Sequence, residues 1–291
     1  MRHESEGARA EALVDALPFI QRFRGQTFVV KYGGSAMEDD HLIERLLKDV
    51  VFLEAVGINP VLIHGGGKAI TQRMRQSGLA PRFVHGLRVT DAVAIKIVEE
   101  VLDEIIRPRI VETIHQFGGK AEGFSGRDIF RAERTRPQNE GGTMIDLGFV
   151  GEVVSLNSDP VRAAIENEVM PVISPIGRGS GGETLNVNAD YAAGALAGAL
   201  KASKVIYVSD VLGVMRDIKE PASLIPTLNR ESAQKLMANN IIEGGMVPKV
   251  SSALAAIQHG VGKVHLIDGR IPHALLLEIF TPEGIGTEIV A

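Results

Sequence analysis

Two β-branched segments, each ending in glycines and followed by a helical pattern, constrain the fold of this chain most strongly. Thr27–Tyr32 is typical of a buried strand that stops at Gly33-Gly34, and residues 60–63 lead into His64-Gly65-Gly66-Gly67. Further strands are expected at 171–175, 204–209 and 263–268. Parallel strands need crossover connections, which are usually helices. The sequence therefore predicts an α/β fold, an open and mostly parallel sheet sandwiched between helices, preceded by an N-terminal helix extension.

The composition indicates a globular chain and excludes several kinds of site. Of the 291 residues, 45% are hydrophobic and 23% are charged, which is enough apolar content for a sizeable core. The 31 Lys and Arg residues against 36 Asp and Glu residues give a net charge of -5, which argues against a general nucleic-acid binder. The lack of cysteine excludes disulfides, thiolate nucleophiles and Cys-ligated metals. The N-terminus lacks a signal-peptide core and no apolar run is long enough to span a membrane, so a cytoplasmic location is expected.

Residues 1–25 are predicted to form a separate helical unit that ends at Gly25. Its apolar residues fall near one helical face: Leu13, Val14, Leu17, Ile20 and Phe23. Pro18 is expected to kink the helix, because proline removes a backbone donor and clashes with the preceding turn. Two alternatives stay open at this point, since the helix can dock on its own domain or on another subunit.

The middle of the chain is less regular. Residues 118–155 carry several glycines and short strand-like pieces, which predict a hairpin-bearing insertion over the mouth of the sheet. Its polar, exposed tip is expected at 131–142. No Ser/Pro-rich linker occurs, so any two lobes would be joined tightly.

The glycine-rich junctions do not match the common nucleotide-binding motifs. Gly67-Lys68 is followed by Ala69, which excludes a Walker-type P-loop, and no strand leads into the Gly-x-Gly-x-x-Gly of dinucleotide-binding folds. Tight strand-to-helix turns need glycine for structural reasons alone. Glycine also lets the backbone approach an anion, and N–H groups at a helix start bind it. Together with Lys31 at the end of the first strand, the two junctions predict an anion site.

A third polar cluster precedes an Ala/Gly-rich helical segment. Asn186, Asn188 and Asp190 alternate with apolar or small residues, so on an extended chain they would face one side. The structural alternative is a helix N-cap, for which Asp190 is well suited. Lys249 is also predicted near a helix start, where a cation opposes the helix dipole unless an anion is bound nearby.

Four motifs, in this order, resemble those of the amino-acid kinase family: Lys31-x-Gly33-Gly34-Ser35, His64-Gly65-Gly66-Gly67, Asn186-x-Asn188-x-Asp190 and Gly245-Met246-x-x-Lys249. The resemblance covers nearly all of residues 26–291. Two more motifs are similar to the N-acetylglutamate kinases within that family: Gly86-Leu87-Arg88-Val89-Thr90 and Asp146-Leu147-Gly148-x-Val150-Gly151. The N-terminal helix and Phe280-Thr281-x-x-Gly284-x-Gly286-Thr287 resemble the arginine-inhibited branch.

The resemblance implies transfer of the γ-phosphoryl group of ATP, carried with Mg²⁺, to the γ-carboxylate of N-acetyl-L-glutamate, the second step of arginine biosynthesis. A free carboxylate has a pKa of about 4.3, so it is already ionised and needs no general base. By resemblance, Lys31 and Lys249 bracket the transferring group, and Asp190 lies between them and orients both. Backbone N–H groups at Gly34 and Gly66 would donate to the phosphoryl group and the substrate carboxylate. Magnesium would be held mainly by water and phosphate oxygens, and no protein ligand is assigned to it.

The same resemblance assigns the other site residues. Arg88 is expected to bind the substrate α-carboxylate, which a guanidinium matches bidentately. Substrate contacts are expected from Gly34, Gly66, Gly67, Asn186 and Asn188, and nucleotide contacts from Gly33, Ser209, Asp210 and Gly213. Residues 26–175 would form an N-terminal lobe for the amino acid, and residues 176–291 a C-terminal lobe for ATP.

Feedback inhibition by L-arginine is a second expectation from the resemblance. The inhibitor would bind between the N-terminal helix and the C-terminal segment, where His265, Glu278 and Gly284 match. Glu278 supplies the acidic group that a guanidinium needs. In the structural alternative, His265 and Glu278 are ordinary surface residues. The N-terminal helix, paired with its copy, would join dimers into a hexamer (a trimer of dimers), although Phe19 stands where a tyrosine is common in the family.

Two other functions are compatible with these motifs. A sister kinase acting on a related acidic substrate, such as a carrier-linked aminoadipate, would share Lys31, Asp190 and Lys249 and differ around Arg88 and Asn186. A non-catalytic ligand-sensing module of the same fold is expected to lack a lysine or the aspartate, whereas this sequence has all three.

Overall fold

The computed structural model describes residues 2–34, 39–84, 86–137 and 144–291. The α-helices are α1 (Arg2–Phe23), α2 (Asp40–Ala55), α3 (Gly67–Gln76), α4 (Ala94–Glu99), α5 (Arg107–Gln116), α6 (Gly126–Ile129), α7 (Asp159–Glu166), α8 (Ala189–Leu200), α9 (Arg230–Ala238), α10 (Met246–Gln258) and α11 (Ala274–Phe280). A π-helical segment, Glu100–Ile106, joins α4 to α5, and a 3₁₀ turn covers Pro221–Ser223.

The strands are β1 (Thr27–Tyr32), β2 (Asn59–His64), β3 (Phe83–Val84), β4 (Leu87–Arg88), β5 (Ala121–Phe124), β6 (Phe130–Arg134), β7 (Val150–Leu156), β8 (Met170–Ile173), β9 (Ile176–Arg178), β10 (Thr184–Val187), β11 (Lys204–Ser209), β12 (Thr227–Leu228), β13 (Lys263–Asp268) and β14 (Thr287–Ile289). Eight of them form one sheet in the order β12-β14-β13-β11-β1-β2-β8-β5. Neighbours in it are parallel except β13 and β14. All five strands expected from the sequence belong to this sheet, which confirms the predicted fold class.

Helices cover both faces of the sheet because successive residues of a strand point to opposite sides. In β1, Val29 packs with α8 and α10, whereas Phe28 and Val30 pack with α2, α5 and α11 on the other face. All three side chains are fully buried. Burying an aliphatic or aromatic side chain of this size stabilises the fold by about 1.5–3 kcal/mol. The result is a three-layer sandwich with β1 at its centre.

Two strands of the predicted insertion, β6 and β7, form a small closed barrel together with β9 and β10, which come later in the chain. Strands β6 and β7 are antiparallel, as expected for a hairpin within residues 118–155. Residues 131–134 belong to β6, so the tip begins later than predicted, because strand pairing with β7 continues through the polar residues. Residues 135–137 of the predicted tip follow β6 outside any strand, whereas residues 138–142 lie outside the described residues, as does Ser35 of the first glycine motif.

Among the side chains of α1 that the structure describes, those at its C-terminal end dock on the rest of the domain. α1 is not interrupted at Pro18, and Gly25 follows it with φ +77°, a conformation that glycine adopts readily. Phe23 is buried against the core. The upstream residues Leu13 and Val14 are 65% and 66% exposed.

The main sheet crosses the predicted boundary between residues 26–175 and 176–291, because β1 pairs with β2 on one side and with β11 on the other. The division into a substrate lobe and a nucleotide lobe depends on where ligands bind and stays a prediction. Within the described parts of the chain, no helix is long and apolar enough to cross a membrane.

Candidate active site

Asp190 lies between two lysines that come from different elements. Lys31 is in β1, Asp190 is in the first turn of α8, and Lys249 is in the first turn of α10. Lys31 Nζ is 2.7 Å from Asp190 Oδ1, and Lys249 Nζ is 3.3 Å from Oδ2. All three side chains are largely removed from solvent. The structure thus brings together the three residues that were predicted as catalytic.

The electrostatics of this trio keep the carboxylate charged. Burial alone would raise the pKa of Asp190, but Lys31 and Lys249 outweigh it and hold that pKa below its usual value. Burial and the charge of Lys31 lower the pKa of Lys249, against the opposing effects of Asp190 and Asp210. Two ammonium groups therefore share one buried carboxylate, which leaves an excess of positive charge that favours an anion.

The two glycine junctions lie beside this trio. The N–H of Gly65 donates to Tyr32 O at 2.6 Å, which ties the second junction to the first. A Cβ at Gly33 would lie 2.8 Å from Lys31 Nζ, so a larger residue there would make the lysine ammonium shift from its present position. Gly34 has φ +78°, and a Cβ there would lie 3.4 Å from Asp210 Cγ.

A cavity of about 210 Å³ brings Lys31 of the trio together with the predicted substrate residues. Its lining includes Lys31, Gly33, Gly34, Gly66, Gly67, Arg88, Asn186 and Asn188. These residues come from β1, the two glycine junctions, β4, β10 and the start of α8. All the predicted substrate-binding residues, which are widely separated along the chain, are therefore in one cavity.

Arg88 is held at this cavity by the first turns of α3. Its Nη2 donates to Gly67 O at 2.6 Å and to Thr71 Oγ1 at 2.8 Å, and its guanidinium carbon lies 4.7 Å from the centre of the Phe83 ring. Burial lowers the pKa of Arg88, although an arginine remains protonated. A buried guanidinium oriented in this way is suited to binding a carboxylate.

The Asn186–Asp190 cluster does contain a helix N-cap, but the capping residue differs from the predicted one. Asn188, not Asp190, is the N-cap of α8, and its side chain accepts from the N–H groups of Asp190 and Tyr191. The extended alternation ends at Asn188, because the helix begins at Ala189. Asp190 thereby points to the lysines, while Asn186 lies within 3.4 Å of Thr90 Oγ1.

The predicted nucleotide residues divide into two groups. Ser209 ends β11, and Asp210 follows it near Gly34 and close enough to Lys249 to affect its pKa. Gly213 has φ +150°, and a Cβ there would lie 2.5 Å from Thr287 Oγ1. Packing against β14 accounts for this glycine, and its nucleotide contact stays a prediction.

His64, the histidine of the second glycine junction, is poorly suited to act as a general base. His64 is fully buried at the end of β2, and burial lowers its pKa to about 4, so the ring is neutral at physiological pH. No group of three or more His, Cys, Asp or Glu side chains within the described ranges could hold a metal ion.

A second cavity, of about 490 Å³, lies between the end of α1 and the C-terminal segment. It is lined by His265, Glu278 and Gly284, the three residues of the predicted arginine site, and by Phe19. His265 and Glu278 are 5% and 8% exposed, so the alternative that they are surface residues is wrong. They are buried because α11, which carries Glu278, packs against β13, which carries His265.

Hydrogen bonds from several polar groups hold Glu278 in this second cavity, which is called the terminal cavity below. His265 Nδ1 lies 2.5 Å from Glu278 Oε1, and Nε2 lies 2.9 Å from Lys204 Nζ. The N–H groups of Ile285 and Gly286 donate to Glu278 Oε2 at 2.7 and 3.0 Å. Burial would raise the pKa of Glu278, but these partners outweigh it and lower that pKa. Burial lowers the pKa of Lys204 to about 8 and also lowers that of His265.

Lys204 is the main residue of this cavity that sequence reasoning missed. It is the first residue of β11, and no local motif marks it. It meets His265 only because β11 and β13 are adjacent and parallel, with Ile206 opposite His265. Predicting the contact of Lys204 with His265 would have required the strand order, which a local motif does not reveal.

Comparison with known proteins identifies the family. The model of the amino acid kinase family matches residues 26–268. The chain belongs to the amino acid kinase family. Within this family it is 48% identical to the acetylglutamate kinase of Akkermansia muciniphila, over 97% of this chain and 95% of that protein. It is 49% identical to the acetylglutamate kinase of Methanocaldococcus jannaschii, over 97% of this chain and 96% of that protein.

Among solved structures, the family member resembles N-acetylglutamate synthase from Neisseria gonorrhoeae. The complex of that synthase with coenzyme A and N-acetyl-glutamate superimposes with a TM-score of 0.85 at 26% identity, covering 97% of this chain and 63% of the synthase. The complex with coenzyme A and L-arginine gives a TM-score of 0.81 at 25% identity, covering 97% of this chain and 65% of the synthase. This chain thus spans less than two thirds of the synthase.

Proposed function

We propose that this chain transfers the γ-phosphoryl group of ATP to the γ-carboxylate of N-acetyl-L-glutamate, forming N-acetyl-L-glutamyl 5-phosphate. The observation that carries the proposal is the pairing of Lys31 and Lys249 with one buried aspartate beside the cavity that contains Arg88. Relatives 48–49% identical over almost their whole length have the name acetylglutamate kinase. The proposed reaction is the second step of arginine biosynthesis and would take place in the cytoplasm.

The chemistry requires positioning and charge neutralisation rather than a base. The attacking carboxylate is already ionised, so the protein has no proton to remove. Lys31 and Lys249 neutralise charge that develops on the transferring phosphoryl oxygens, and Asp190 keeps both ammonium groups in place. Mg²⁺, bound to the nucleotide phosphates and water, would supply further neutralisation. Asp190 is suited to the lysines and not to the metal, because both its oxygens already face ammonium groups.

Substrate and nucleotide would approach from opposite sides of the trio. Arg88, Asn186 and Asn188 would bind the amino acid, with backbone donors from Gly34, Gly66 and Gly67. Gly33, Ser209, Asp210 and Gly213 would contact ATP. In this proposal residues 26–175 provide most of the substrate lobe and residues 176–291 the nucleotide lobe.

L-arginine is the proposed feedback inhibitor, bound in the terminal cavity. The ionised Glu278 supports this role, because a guanidinium needs an acidic partner. The synthase that resembles this chain has been solved with L-arginine. The exposed residues of α1 further support a homo-oligomer, a hexamer in which paired α1 helices join three dimers.

The deciding experiment measures ATP-dependent hydroxamate formation with N-acetylglutamate, with and without L-arginine. Hydroxylamine traps an acyl phosphate, so a signal identifies the type of product. Activity that arginine lowers would support both the reaction and the inhibitor site, whereas activity indifferent to arginine would support only the kinase. Activity confined to a carrier-linked aminoadipate would assign the chain to the sister kinase, and no activity on any acidic substrate would overturn the proposal.

A further inference from the structure

The backbone of Gly66 packs against a π-helical turn that belongs to neither glycine junction. A Cβ at Gly66 would lie 2.5 Å from Leu102 Cδ2 and 3.0 Å from Ile106 Cδ1. Leu102 is 1% exposed. These two side chains fill the space behind Gly66, so any displacement of the π-helical turn displaces the backbone that faces the cavity.

Pro108 explains why the helix widens here. A proline in a helix cannot donate to the carbonyl four residues before it, and its ring clashes with that carbonyl. The π-helical segment Glu100–Ile106 ends directly before Arg107, whose N–H donates to Leu102 O five residues back. The wider turn accommodates the proline, and π-turns inside α-helices are frequent at functional sites.

Asp103 anchors this turn to the carboxyl ends of two strands of the main sheet. Its Oδ2 accepts from Ser125 Oγ at 2.6 Å, its Oδ1 accepts from Ser174 Oγ, and Arg107 Nε lies 3.8 Å away. Ser125 follows β5 and Ser174 follows β8. Ser174 is fully buried and also accepts from the N–H of Gly126.

We propose that Asp103 is a positioning residue for phosphoryl transfer, because its hydrogen bonds hold the turn that keeps Leu102 and Ile106 packed against Gly66. The inference rests on the proposed function, in which the Gly66 N–H donates to the reacting groups. Adjacent residues of one turn do the two tasks: Asp103 binds the strand ends, and Leu102 supports the glycine. A donor displaced by about 1 Å can cost about 100-fold in rate.

The test compares Asp103→Asn with Glu100→Gln. Both variants remove one carboxylate charge from the same π-helical segment, but Glu100 is only partly buried and pairs with Arg73 at 2.8 Å rather than with the strand ends. In Asp103→Asn we expect kcat to fall by about 10-fold or more while the KM for ATP is unchanged. Glu100→Gln should keep the wild-type kcat. An Asp103→Asn variant that folds and keeps the wild-type kcat would overturn the inference.

A second measurement does not depend on catalysis. Amide hydrogen exchange of the peptide covering residues 65–68 should be faster in Asp103→Asn than in the wild type, and unchanged in Glu100→Gln. If the wild type fails to phosphorylate N-acetylglutamate, the proposed function is wrong. The exchange measurement would still show whether Asp103 holds residues 65–68 in place. Unchanged exchange in an active background would overturn only the role of Asp103.

Two serine variants provide the test if Asp103→Asn does not fold. Ser125→Ala and Ser174→Ala each remove one hydrogen bond to Asp103. Each should therefore lower kcat, but by less than the fall expected for Asp103→Asn. If Asp103→Asn does fold, combining it with Ser125→Ala should lower kcat little further, because the effects of substituting two residues in contact are not additive. Serine variants with wild-type kcat and wild-type exchange would contradict the proposal.

Discussion

Lys31 Nζ lies 2.7 Å from Asp190 Oδ1, although one residue is in the first strand and the other opens a helix in the second half of the chain. The contact lies near the carboxyl end of β1, a central strand of the sheet that is flanked by β2 and β11. It therefore links the glycine junctions to α8. The excess positive charge of Lys31, Lys249 and Asp190 taken together is suited to neutralising a phosphoryl group.

Lys31→Ala and Lys249→Ala should each lower kcat by about 100-fold or more, the effect of removing one group that stabilises transition-state charge. Steady-state kinetics with N-acetylglutamate and ATP checks this. Lys235→Ala is the matched control, because Lys235 forms an exposed pair with Glu231. Wild-type turnover in either site variant would remove that lysine from the mechanism.

Arg88→Ala should mainly raise the KM for N-acetylglutamate, by about 10- to 100-fold, because a charged hydrogen bond contributes about 1.5–3 kcal/mol. The KM for ATP should change little. Arg73→Ala, which removes a half-exposed guanidinium from α3, provides the comparison. An unchanged substrate KM in Arg88→Ala would place the substrate carboxylate elsewhere.

Glu278→Gln should abolish inhibition by L-arginine and leave the uninhibited rate intact. The substitution keeps the size of the side chain but removes the charge that would face a guanidinium. Rates measured over a series of arginine concentrations, beside Glu231→Gln as a surface control, check the expectation. Because Glu278 also accepts two backbone N–H groups, a melting curve must show that the variant folds. Inhibition equal to the wild type would assign arginine to another site.

Removing residues 1–24 should produce dimers that are insensitive to arginine. The deletion also removes Phe23 from the core, so a gentler variant is needed. Leu13→Ser combined with Val14→Ser changes only exposed residues of α1 and should give the same dimers. Light scattering coupled to size-exclusion chromatography measures the masses. A hexamer that persists in both variants would refute the linking role of α1.

Asp49 should make the protein less stable as the pH rises from about 4 to about 6. Burial raises its pKa from 3.8 to about 6, although a contact of 2.6 Å with His273 opposes the shift. The folded state then holds a proton that the unfolded state has lost, so stability falls with rising pH across this window. Two pKa units correspond to about 3 kcal/mol. Urea unfolding of the wild type and Asp49→Asn at pH 4.5 and 7 should give a difference that grows with pH. A constant difference would contradict the prediction.

Much of the fold was predictable because buried parallel strands leave a continuous apolar signal. The strands at 204–209 and 263–268 match β11 and β13 residue for residue. The ordered motifs likewise identified every residue of the trio. Residues 131–134, three of which are charged, were harder to place, because they lie on a strand whose partner, β7, is more than fifteen residues away.

The sequence by itself determined where strands end, which residue types follow them and to which family the chain belongs, because those signals are local. Only the tertiary structure decided which side chains meet. Asn188 became the cap of α8 and left Asp190 to the lysines, His265 and Glu278 were buried together with Lys204, and Asp103 reached Ser125 and Ser174. Such contacts depend on strand order and on helix packing across the sheet, which arise only when distant segments bury their apolar faces together.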